Sequence, residues 1–97
     1  MTPLRARYTP EASALIRTLH PDVKRDVRQA IRHLLDHPLA GHELQLDLAG
    51  FRSYRMRTYR IIYRYDERAR SIDVLFVGHR RDVYESFRSL LLGHRSD

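Results

Sequence analysis

Arginines and tyrosines crowd one stretch of this 97-residue chain. Residues 51–65 read FRSYRMRTYRIIYRY and hold five arginines and four tyrosines but no carboxylate. Arginine carries a planar, permanently charged fork of N–H donors, which suits bidentate contact with phosphate. The stretch therefore predicts a surface that binds a polyanion. The alternative is that the arginines only solvate the exposed face of a half-buried sheet, although such faces usually mix both signs of charge.

The β-branched and aromatic content of the same stretch predicts a β-hairpin. A two-residue turn at Arg57-Thr58 would pair Arg55 with Arg60, and side chains alternate across each strand. The predicted apolar face comprises Tyr54, Met56, Tyr59, Ile61 and Tyr63. The predicted opposite face comprises Arg55, Arg57, Arg60, Ile62 and Arg64. Paired like charges repel each other by up to about 1 kcal/mol, and a bound polyanion would relieve that repulsion.

The elements that must position this hairpin follow from turn residues and apolar periodicity. The predicted elements are a strand at residues 4–8, a helix from Thr9-Pro10 to His20-Pro21, a helix from the cap Asp22 to about Asp36, the hairpin, a strand at residues 72–77, and a last helix from the cap Asp82 to Gly93. Their order, βααβββα, predicts an α+β fold in one domain over residues 1–97. The predicted sheet is antiparallel-rich and four-stranded, packed by a helical hairpin, with a C-terminal helix added.

Two local patterns refine this outline. Glu85 follows the cap Asp82 by three residues, which predicts a capping-box-like pair. Residues 39–50 have only a weak pattern, and the alternation of Leu44, Leu46 and Leu48 indicates a short extended piece there. His33 and His37 are spaced like a helical metal pair, but no third ligand accompanies them. We therefore predict no metal site and no cofactor.

Composition narrows the class of protein. The formal net charge is +6 and the isoelectric point is about 10.3, which favours nucleic acid, an acidic protein or an anionic membrane as partner. The membrane is disfavoured because the basic cluster lies on a predicted strand and not on an amphipathic helix. There is no cysteine, so neither disulfides nor thiolate ligands stabilise the fold. No apolar run resembles a signal peptide or a membrane span, so we expect a cytoplasmic protein.

Several segments together resemble the RelE/ParE superfamily of toxins from type II toxin–antitoxin systems. The resemblance covers nearly the whole chain. The segments are Tyr8-Thr9-Pro10-Glu11-Ala12, His37-Pro38, Leu48-Ala49-Gly50, Tyr54-Arg55, Tyr59-Arg60-Ile61-Ile62-Tyr63, and Val77-Gly78-His79-Arg80-Arg81-Asp82-Val83-Tyr84. Their order and separation are specific to the superfamily, but less specific to a cellular target.

Two activities are implied by this resemblance. RelE-like members are mRNA interferases, endoribonucleases that cleave messenger RNA in the ribosomal A site by attack of the 2′-hydroxyl on the adjacent phosphate, without metal. ParE-like members inhibit DNA gyrase and are not nucleases. Both are neutralised by a cognate antitoxin. We predict the ribosome-dependent RNase, with gyrase inhibition as the main alternative and plain nucleic-acid binding as a weaker one.

The resemblance also implies roles for individual residues. Arg60, Arg80 and Tyr84 are the predicted catalytic residues: arginines stabilise the phosphate and the leaving oxygen, and the tyrosine acts as base. The predicted substrate-binding residues are Arg55, Arg57, Arg81 and His79. The sequence departs from the RelE pattern in two places. Arginines stand at Arg55 and Arg57, where RelE-type nucleases commonly have lysines, and Arg57-Thr58 stands where many relatives have Gly-Asp.

The predicted partners are thus an antitoxin with an acidic, amphipathic helix and mRNA in the ribosomal A site, or DNA gyrase in the alternative. The antitoxin helix is expected on the arginine face and on the leucines Leu90, Leu91 and Leu92. Ordinary core packing of the last helix is the competing interpretation of those leucines.

Overall fold

The computed structural model describes residues 3–93, so the two ends of the predicted 1–97 domain lie outside the described part. Within it, helices cover both faces of one sheet. The strands are β1 (Arg5–Tyr8), β2 (His42–Glu43), β3 (Arg52–Met56), β4 (Tyr59–Asp66) and β5 (Ser71–His79). The helices are α1 (Pro10–Arg17), α2 (Pro21–Asp36) and α3 (Val83–Leu91), with a 3₁₀ helix at Leu46–Leu48. The predicted α+β class is confirmed.

The sheet has five strands in the order β1-β5-β4-β3-β2. β1 runs parallel to β5, and the other neighbours are antiparallel. The prediction of four strands was therefore wrong, because His42 and Glu43 of β2 pair with β3. Leu46 and Leu48, predicted in an extended piece, begin and end the 3₁₀ helix. A two-residue strand is too short to show alternation, so the order βααβββα missed it.

The central hairpin has the predicted register. Met56 pairs with Tyr59 and Arg55 pairs with Arg60, which places a two-residue turn at Arg57-Thr58. Arg57 has φ +57°, a left-handed conformation that residues other than glycine adopt infrequently. The turn therefore holds a left-handed arginine at a position where glycine would carry no steric cost.

Each face of the sheet has its own apolar core. On one face, α1 and α2 pack over β4, where Ile61 and Tyr63 are fully buried with Leu34 of α2. On the other face, α3 places Phe87 against Ile62. The hairpin's predicted apolar face is therefore the one beneath the helical hairpin, and the arginine face is the one that α3 covers in part.

A β-bulge adjusts the second core. Ile62 pairs with Phe76 but Tyr63 pairs with Val74, so Leu75 is an extra residue in β5. Both Leu75 and Phe76 pack in the cluster beneath α3. The bulge thus lets β5 present two successive apolar side chains to one face.

Two predicted helix starts need correction. Pro21 does not end α1, which stops at Arg17; it is the first residue of α2, and the His20 side chain accepts a hydrogen bond from the Asp22 N–H. Proline suits that position because its missing N–H has no intrahelical partner there. Asp82 does occupy the N-cap of α3, but its side chain makes no capping hydrogen bond, so the predicted capping box is not formed.

The helices of residues 3–93 include none that combines the length and apolar character needed to cross a bilayer.

Candidate functional site

Three strand and helix residues meet on the face of the sheet covered by α3. Ser53 of β3 is 1% exposed, and its Oγ accepts hydrogen bonds from Arg60 Nη1 at 3.3 Å and from the Tyr84 hydroxyl at 3.1 Å. The Arg60 guanidinium carbon also lies 5.9 Å from the centre of the Tyr84 ring. The side chains of Ser53, Arg60 and Tyr84, called the Ser53 cluster below, join β3, β4 and α3 at one point. It brings together two of the three predicted catalytic residues.

The position of Tyr84 follows from the packing of α3. Val83 and Phe87 are fully buried and fix the helix on the sheet, so Tyr84 in the first turn is turned toward β3. Phe87 meets the Phe51 ring edge to face, with centroids 5.0 Å apart. Gly78 permits the close approach of β5, because an added Cβ would lie 3.1 Å from a Val83 methyl. The tyrosine is thus held by buried neighbours and is itself half-buried.

Arg80 lies beside the hairpin tip. Its backbone N–H donates a 2.7 Å hydrogen bond to the Thr58 carbonyl, which ties the turn before α3 to the β3–β4 turn. The Arg80 side chain is exposed and forms no ion pair within the described residues. Arg80 is therefore an exposed, unpaired cation next to the hairpin tip, and the exposed Arg55 lies opposite Arg60 on the neighbouring strand.

Most of the hairpin arginines are already engaged by the protein. Arg57 Nε lies 2.6 Å from an Asp26 carboxylate oxygen, and Arg64 lies 3.0 Å from Asp73. Arg52 donates to the carbonyls of Leu39 and Gly41. Among the described residues, the hairpin arginines left without a carboxylate or carbonyl acceptor are Arg55 and Arg60, which sit opposite each other on the α3 face. These two are therefore the hairpin cations that remain free to meet an anion.

Arg57 and His79, predicted substrate contacts, point elsewhere. Arg57 reaches Asp26 of α2, on the opposite side of the sheet from Tyr84, because its left-handed backbone removes it from the strand alternation. The His79 ring packs on Tyr59 at 5.7 Å, also on the α2 side. Arg81 is exposed, and its N–H lies 3.4 Å from His79 Nδ1. The structure does not bring these three side chains to the Ser53 cluster.

Ser53 was missed by the sequence analysis. The sequence could have indicated Ser53, because alternation along the strand places position 53 on the same face as Arg55. Arg60 was predicted to pair with Arg55 on that face. A serine between large side chains on this face indicates a position at which the packed sheet contains a hydrogen-bonding hydroxyl.

A second charged group lies on the same face, at the far end of the strands. The Asp73 carboxylate accepts two hydrogen bonds from Arg7, at 2.8 and 2.9 Å, and others from Arg64 and the Ser71 hydroxyl. The hydrogen bonds from Arg7 lower the pKa of Asp73 to about 2, and Asp73 in turn raises the pKa of Arg7. These hydrogen bonds connect β1, β4 and β5, and they engage the Arg64 guanidinium, so the role of this group is structural.

In the described part of the chain, no three His, Cys, Asp or Glu side chains are grouped so that they could hold a metal ion. The rings of His33 and His37 pack against each other with centroids 4.8 Å apart. His33 also packs on Tyr54 at 5.7 Å, so this pair takes part in the surface packing of α2 on β3.

Comparison with known proteins decides the family. The family model for the ParE-like toxin of type II bacterial toxin–antitoxin systems matches residues 7–88. This chain belongs to that family. Among curated proteins, Toxin RelG of Mycobacterium tuberculosis is 36% identical over 84 residues, covering 84% of this chain and 97% of RelG. The predicted RelE/ParE-superfamily membership is confirmed.

Solved structures give the same fold. The toxin–antitoxin complex RelBE2 of M. tuberculosis contains a chain that is 34% identical, with a TM-score of 0.73, covering 81% of this ParE-like toxin and 100% of that chain. A mutant E. coli toxin RelE in the free state has a TM-score of 0.76 at 16% identity, covering 97% and 99% of the two chains. At that lower identity the likeness concerns the fold alone.

Proposed function

We propose that this ParE-like toxin is a ribosome-dependent endoribonuclease whose active centre is the Ser53 cluster together with Arg80 and Arg55. The observation that carries the proposal is the convergence of Arg60 and Tyr84 on the buried Ser53 hydroxyl. A buried acceptor that fixes a guanidinium beside a phenol is the kind of preorganisation that phosphoryl transfer requires. The 36% identity to Toxin RelG supports the coarser assignment, that of a toxin.

The reaction in this proposal needs no metal. The ribose 2′-oxygen bonds to the adjacent phosphorus while the bond from phosphorus to the 5′-oxygen breaks. The products are a 2′,3′-cyclic phosphate and a 5′-hydroxyl end. Tyr84 acts as the base in its phenolate form, after its own proton has passed to solvent; it then accepts the proton of the attacking hydroxyl, and a proton from solvent returns to the leaving 5′-oxygen. Charge accumulates on the phosphoryl oxygens in the transition state, which is where preorganised donors act most strongly.

The arginines act in this scheme as fixed positive charges. Arg60 stabilises the phosphoryl oxygens, Arg80 the leaving oxygen, and Arg55 the flanking backbone phosphate. A guanidinium stays protonated throughout, so its contribution is electrostatic and not proton transfer. Such a donor typically contributes about 3–4 kcal/mol to the transition state. Arg57, held on Asp26, takes no part.

The proposed partners are mRNA in the ribosomal A site and a neutralising antitoxin. Support for the antitoxin comes from relatives: the RelBE2 and E. coli RelBE structures are toxin–antitoxin complexes. Leu91 and Leu92 of this chain are 45% and 79% exposed, whereas Leu90 packs in the core beneath α3. Leu91 and Leu92 are thus the leucines that α3 leaves for an amphipathic partner segment.

Inhibition of DNA gyrase is the second candidate function. It is favoured by the family model, whose description is ParE-like, and by the arginines where RelE-type nucleases have lysines. In that reading Arg60 and Tyr84 belong to a binding surface and cleave nothing.

Mapping of transcript 5′ ends in a purified translation system separates the two functions. We expect new 5′ ends within codons when the toxin and translating ribosomes are both present, and none without ribosomes. If transcripts stay intact and the toxin stops purified gyrase from supercoiling DNA, the nuclease proposal is wrong and gyrase inhibition is the function. Cuts of equal number on free RNA would retain the nuclease but remove the ribosome from the proposal.

A further inference from the structure

His42 lies on the same face of the sheet as the Ser53 cluster. In the β2–β3 pair it is directly opposite Ser53, and side chains paired in this way point to one face with their Cβ atoms about 5 Å apart. Leu44, two residues further along, packs in the core beneath α3, which agrees with alternation from His42. Since the strand order is β4-β3-β2, His42 stands beside Ser53 on the side away from Arg60.

The backbone around His42 is held by neighbouring groups, although β2 has only two residues. The Gly41 N–H donates a 2.9 Å hydrogen bond to the Tyr63 hydroxyl, and a Cβ added at Gly41 would lie 2.8 Å from the Tyr63 ring. The Leu44 N–H donates to the Phe51 carbonyl at 3.0 Å. These contacts on both sides fix the position from which the histidine side chain extends.

The groove that His42 lines is also lined by Tyr84. It has a volume of about 320 Å³ and lies between β2 and α3. Leu44 and Leu48 form its apolar wall, and Leu48 is buried. The Tyr84 hydroxyl lies 3.1 Å from Ser53 Oγ, and Ser53 is the residue opposite His42. The imidazole and the phenol therefore approach Ser53 from two elements that border one groove.

The ring of His42 is uncommitted, unlike those of the other histidines. Within residues 3–93 the others are engaged in capping or ring packing: His20, His33, His37 and His79. In the same part of the chain, the His42 ring has no hydrogen bond, ion pair or ring contact. Both of its nitrogens are thus available for proton transfer.

The chemistry of the two side chains is complementary. A phenol is a weak base at neutral pH because it ordinarily keeps its proton up to about pH 10. Imidazole is the side chain that gains and loses a proton between about pH 5 and 8. We propose that His42 is the proton acceptor through which Tyr84 reaches its basic form. This inference deepens the proposed function and rests on it, because it requires Tyr84 to act as the base.

Protons and bonds balance in this relay. The neutral His42 imidazole takes the Tyr84 hydroxyl proton, so the phenolate forms beside an imidazolium. The phenolate takes the 2′-hydroxyl proton while the 2′-oxygen bonds to phosphorus and the bond from phosphorus to the 5′-oxygen breaks. The 5′-oxygen gains a proton from solvent and the imidazolium releases one to solvent, so both side chains end as they began.

Other charged groups surround His42, but none of their types changes charge near neutrality. The charged or titratable side chains on this face and around the groove are Glu43, Asp47, Arg55, Arg60, Tyr84 and Arg88. Arginine stays protonated, aspartate and glutamate ordinarily titrate in acid, and tyrosine ordinarily titrates in alkali. A change of cleavage rate between about pH 6 and 8 therefore reports on His42.

Single-turnover cleavage of mRNA on programmed ribosomes, followed from about pH 6 to 8.5, tests the relay. We expect the parent rate to rise toward neutral pH and then level off, because only the neutral imidazole accepts a proton. His42→Gln should cleave about 100-fold more slowly near pH 7, and its rate should keep rising with pH, because its phenolate forms only as alkali removes the proton. Its binding to ribosomes should match that of the parent.

Chemical rescue and a matched control separate proton transfer from structural support. Imidazole added to His42→Ala should raise the cleavage rate by about tenfold or more, because it occupies the vacated space and accepts the proton. His37→Gln makes the same kind of change at an exposed histidine at the end of α2, across the sheet, and should match the parent. Thermal melts by circular dichroism confirm that each variant is folded.

Three results would overturn the inference. Equal rates and pH profiles for the parent and His42→Gln would exclude His42 and leave the nuclease proposal intact. A slow His42→Gln with the parent's pH profile, and no rescue of His42→Ala by imidazole, would mean that His42 only supports the structure. A parent that cleaves nothing on ribosomes would remove the proposed function and the inference together, and the active parent in the first two results distinguishes them from this one.

Discussion

At the scale of single residues, the Ser53 hydroxyl organises the candidate site. It is buried, and it accepts hydrogen bonds from both Arg60 and Tyr84. Each of those longer side chains could otherwise adopt several rotamers, and fixing them in advance lowers the entropy cost of reaching the transition state. In the proposed function, Ser53 would therefore position the two groups that touch the phosphate and the ribose.

Ser53→Ala tests this positioning role. We expect a loss of about 1 kcal/mol in the free energy of unfolding, because two hydrogen bonds lose their acceptor in a mostly buried place. Transcript cleavage should fall by about 10–100-fold, since small misplacements of catalytic groups are costly. Urea unfolding and cleavage rates in the translation system measure the two effects. Ser89→Ala on the exposed side of α3 is the control, and equal activity of both variants would contradict the role assigned to Ser53.

At the scale of elements, turns and ion pairs tie the strands into one rigid frame. The hairpin tip is held from two directions, by the Arg57–Asp26 ion pair to α2 and by the Thr58–Arg80 backbone hydrogen bond to the turn before α3. At the other end of the sheet, Asp73 joins β1 and β4 through Arg7 and Arg64. These contacts therefore fix the strands at both ends of the sheet, and the Ser53 cluster lies between those two ends.

Arg57→Gly tests whether the hairpin tip takes part in the proposed active centre. Glycine relieves the left-handed strain, worth about 1 kcal/mol, while the ion pair that is lost, with Arg57 exposed and Asp26 mostly buried, contributes about 1 kcal/mol. Stability should therefore change by less than about 1 kcal/mol, and cleavage should stay within about threefold of the parent. Arg60→Ala, tested in parallel, should lose about 100-fold or more. If Arg57→Gly were as inactive as Arg60→Ala, the exclusion of Arg57 from the site would be wrong.

The Asp73 group predicts a dependence of stability on pH. The folded-state pKa of about 2 lies below the ordinary value of 3.8, so folding favours the ionised carboxylate. The stabilisation is complete above about pH 4 and is lost as the pH falls toward 2; it amounts to about 1–2 kcal/mol, discounted because Arg7 and Arg64 are half exposed. Unfolding curves from pH 6 to 2 should converge for the parent and Asp73→Asn as the pH falls. A constant difference between them would contradict this assignment.

At the scale of the whole molecule, the distribution of positive charge separates two surfaces. Arg55 and Arg60 lie on the α3 side of the sheet, and Arg17, Lys24 and Arg28 lie across the sheet on α1 and α2. The net charge of +6 therefore does not describe one continuous patch. In the proposed function, the first surface meets nucleic acid.

The salt dependence of RNA binding tests this division. Phosphate contacts release counterions, and each contact to a single strand contributes about 0.7 to the slope of log affinity against log salt. Arg55→Ala should lower that slope by about 0.7, whereas Arg32→Ala on the exposed side of α2 should leave it unchanged. Filter binding of a short single-stranded RNA between 50 and 300 mM salt provides the measurement. Equal slopes for both variants would mean that the charge acts as a whole and not through two surfaces.

The parts of the fold that the sequence predicted are those set by local rules. The hairpin register followed from alternation about an inferred two-residue turn at Arg57-Thr58, and Thr9 with Pro10 does begin α1 through a side-chain cap. The parts that it missed depend on contacts distant in the chain. β2 exists only through its pairing with β3, and Arg57 leaves the arginine face because its left-handed backbone removes it from the alternation, so that it reaches Asp26 of α2. Alternation could have placed Ser53 on the arginine face. Its hydrogen bond from Tyr84 joins residues 31 positions apart, which no local rule predicts.

The most direct test of the central claim is the single-turnover rate of mRNA cleavage by Tyr84→Phe on programmed ribosomes. This change removes one hydroxyl and keeps the ring that packs against Arg60. Tyr54→Phe, on the opposite face of the same sheet, is the matched control. We expect Tyr84→Phe to cleave at least about 100-fold more slowly while it still binds the ribosome, and Tyr54→Phe to match the parent. A Tyr84→Phe variant that cleaves as fast as the parent would contradict the claim that this cluster is the active centre.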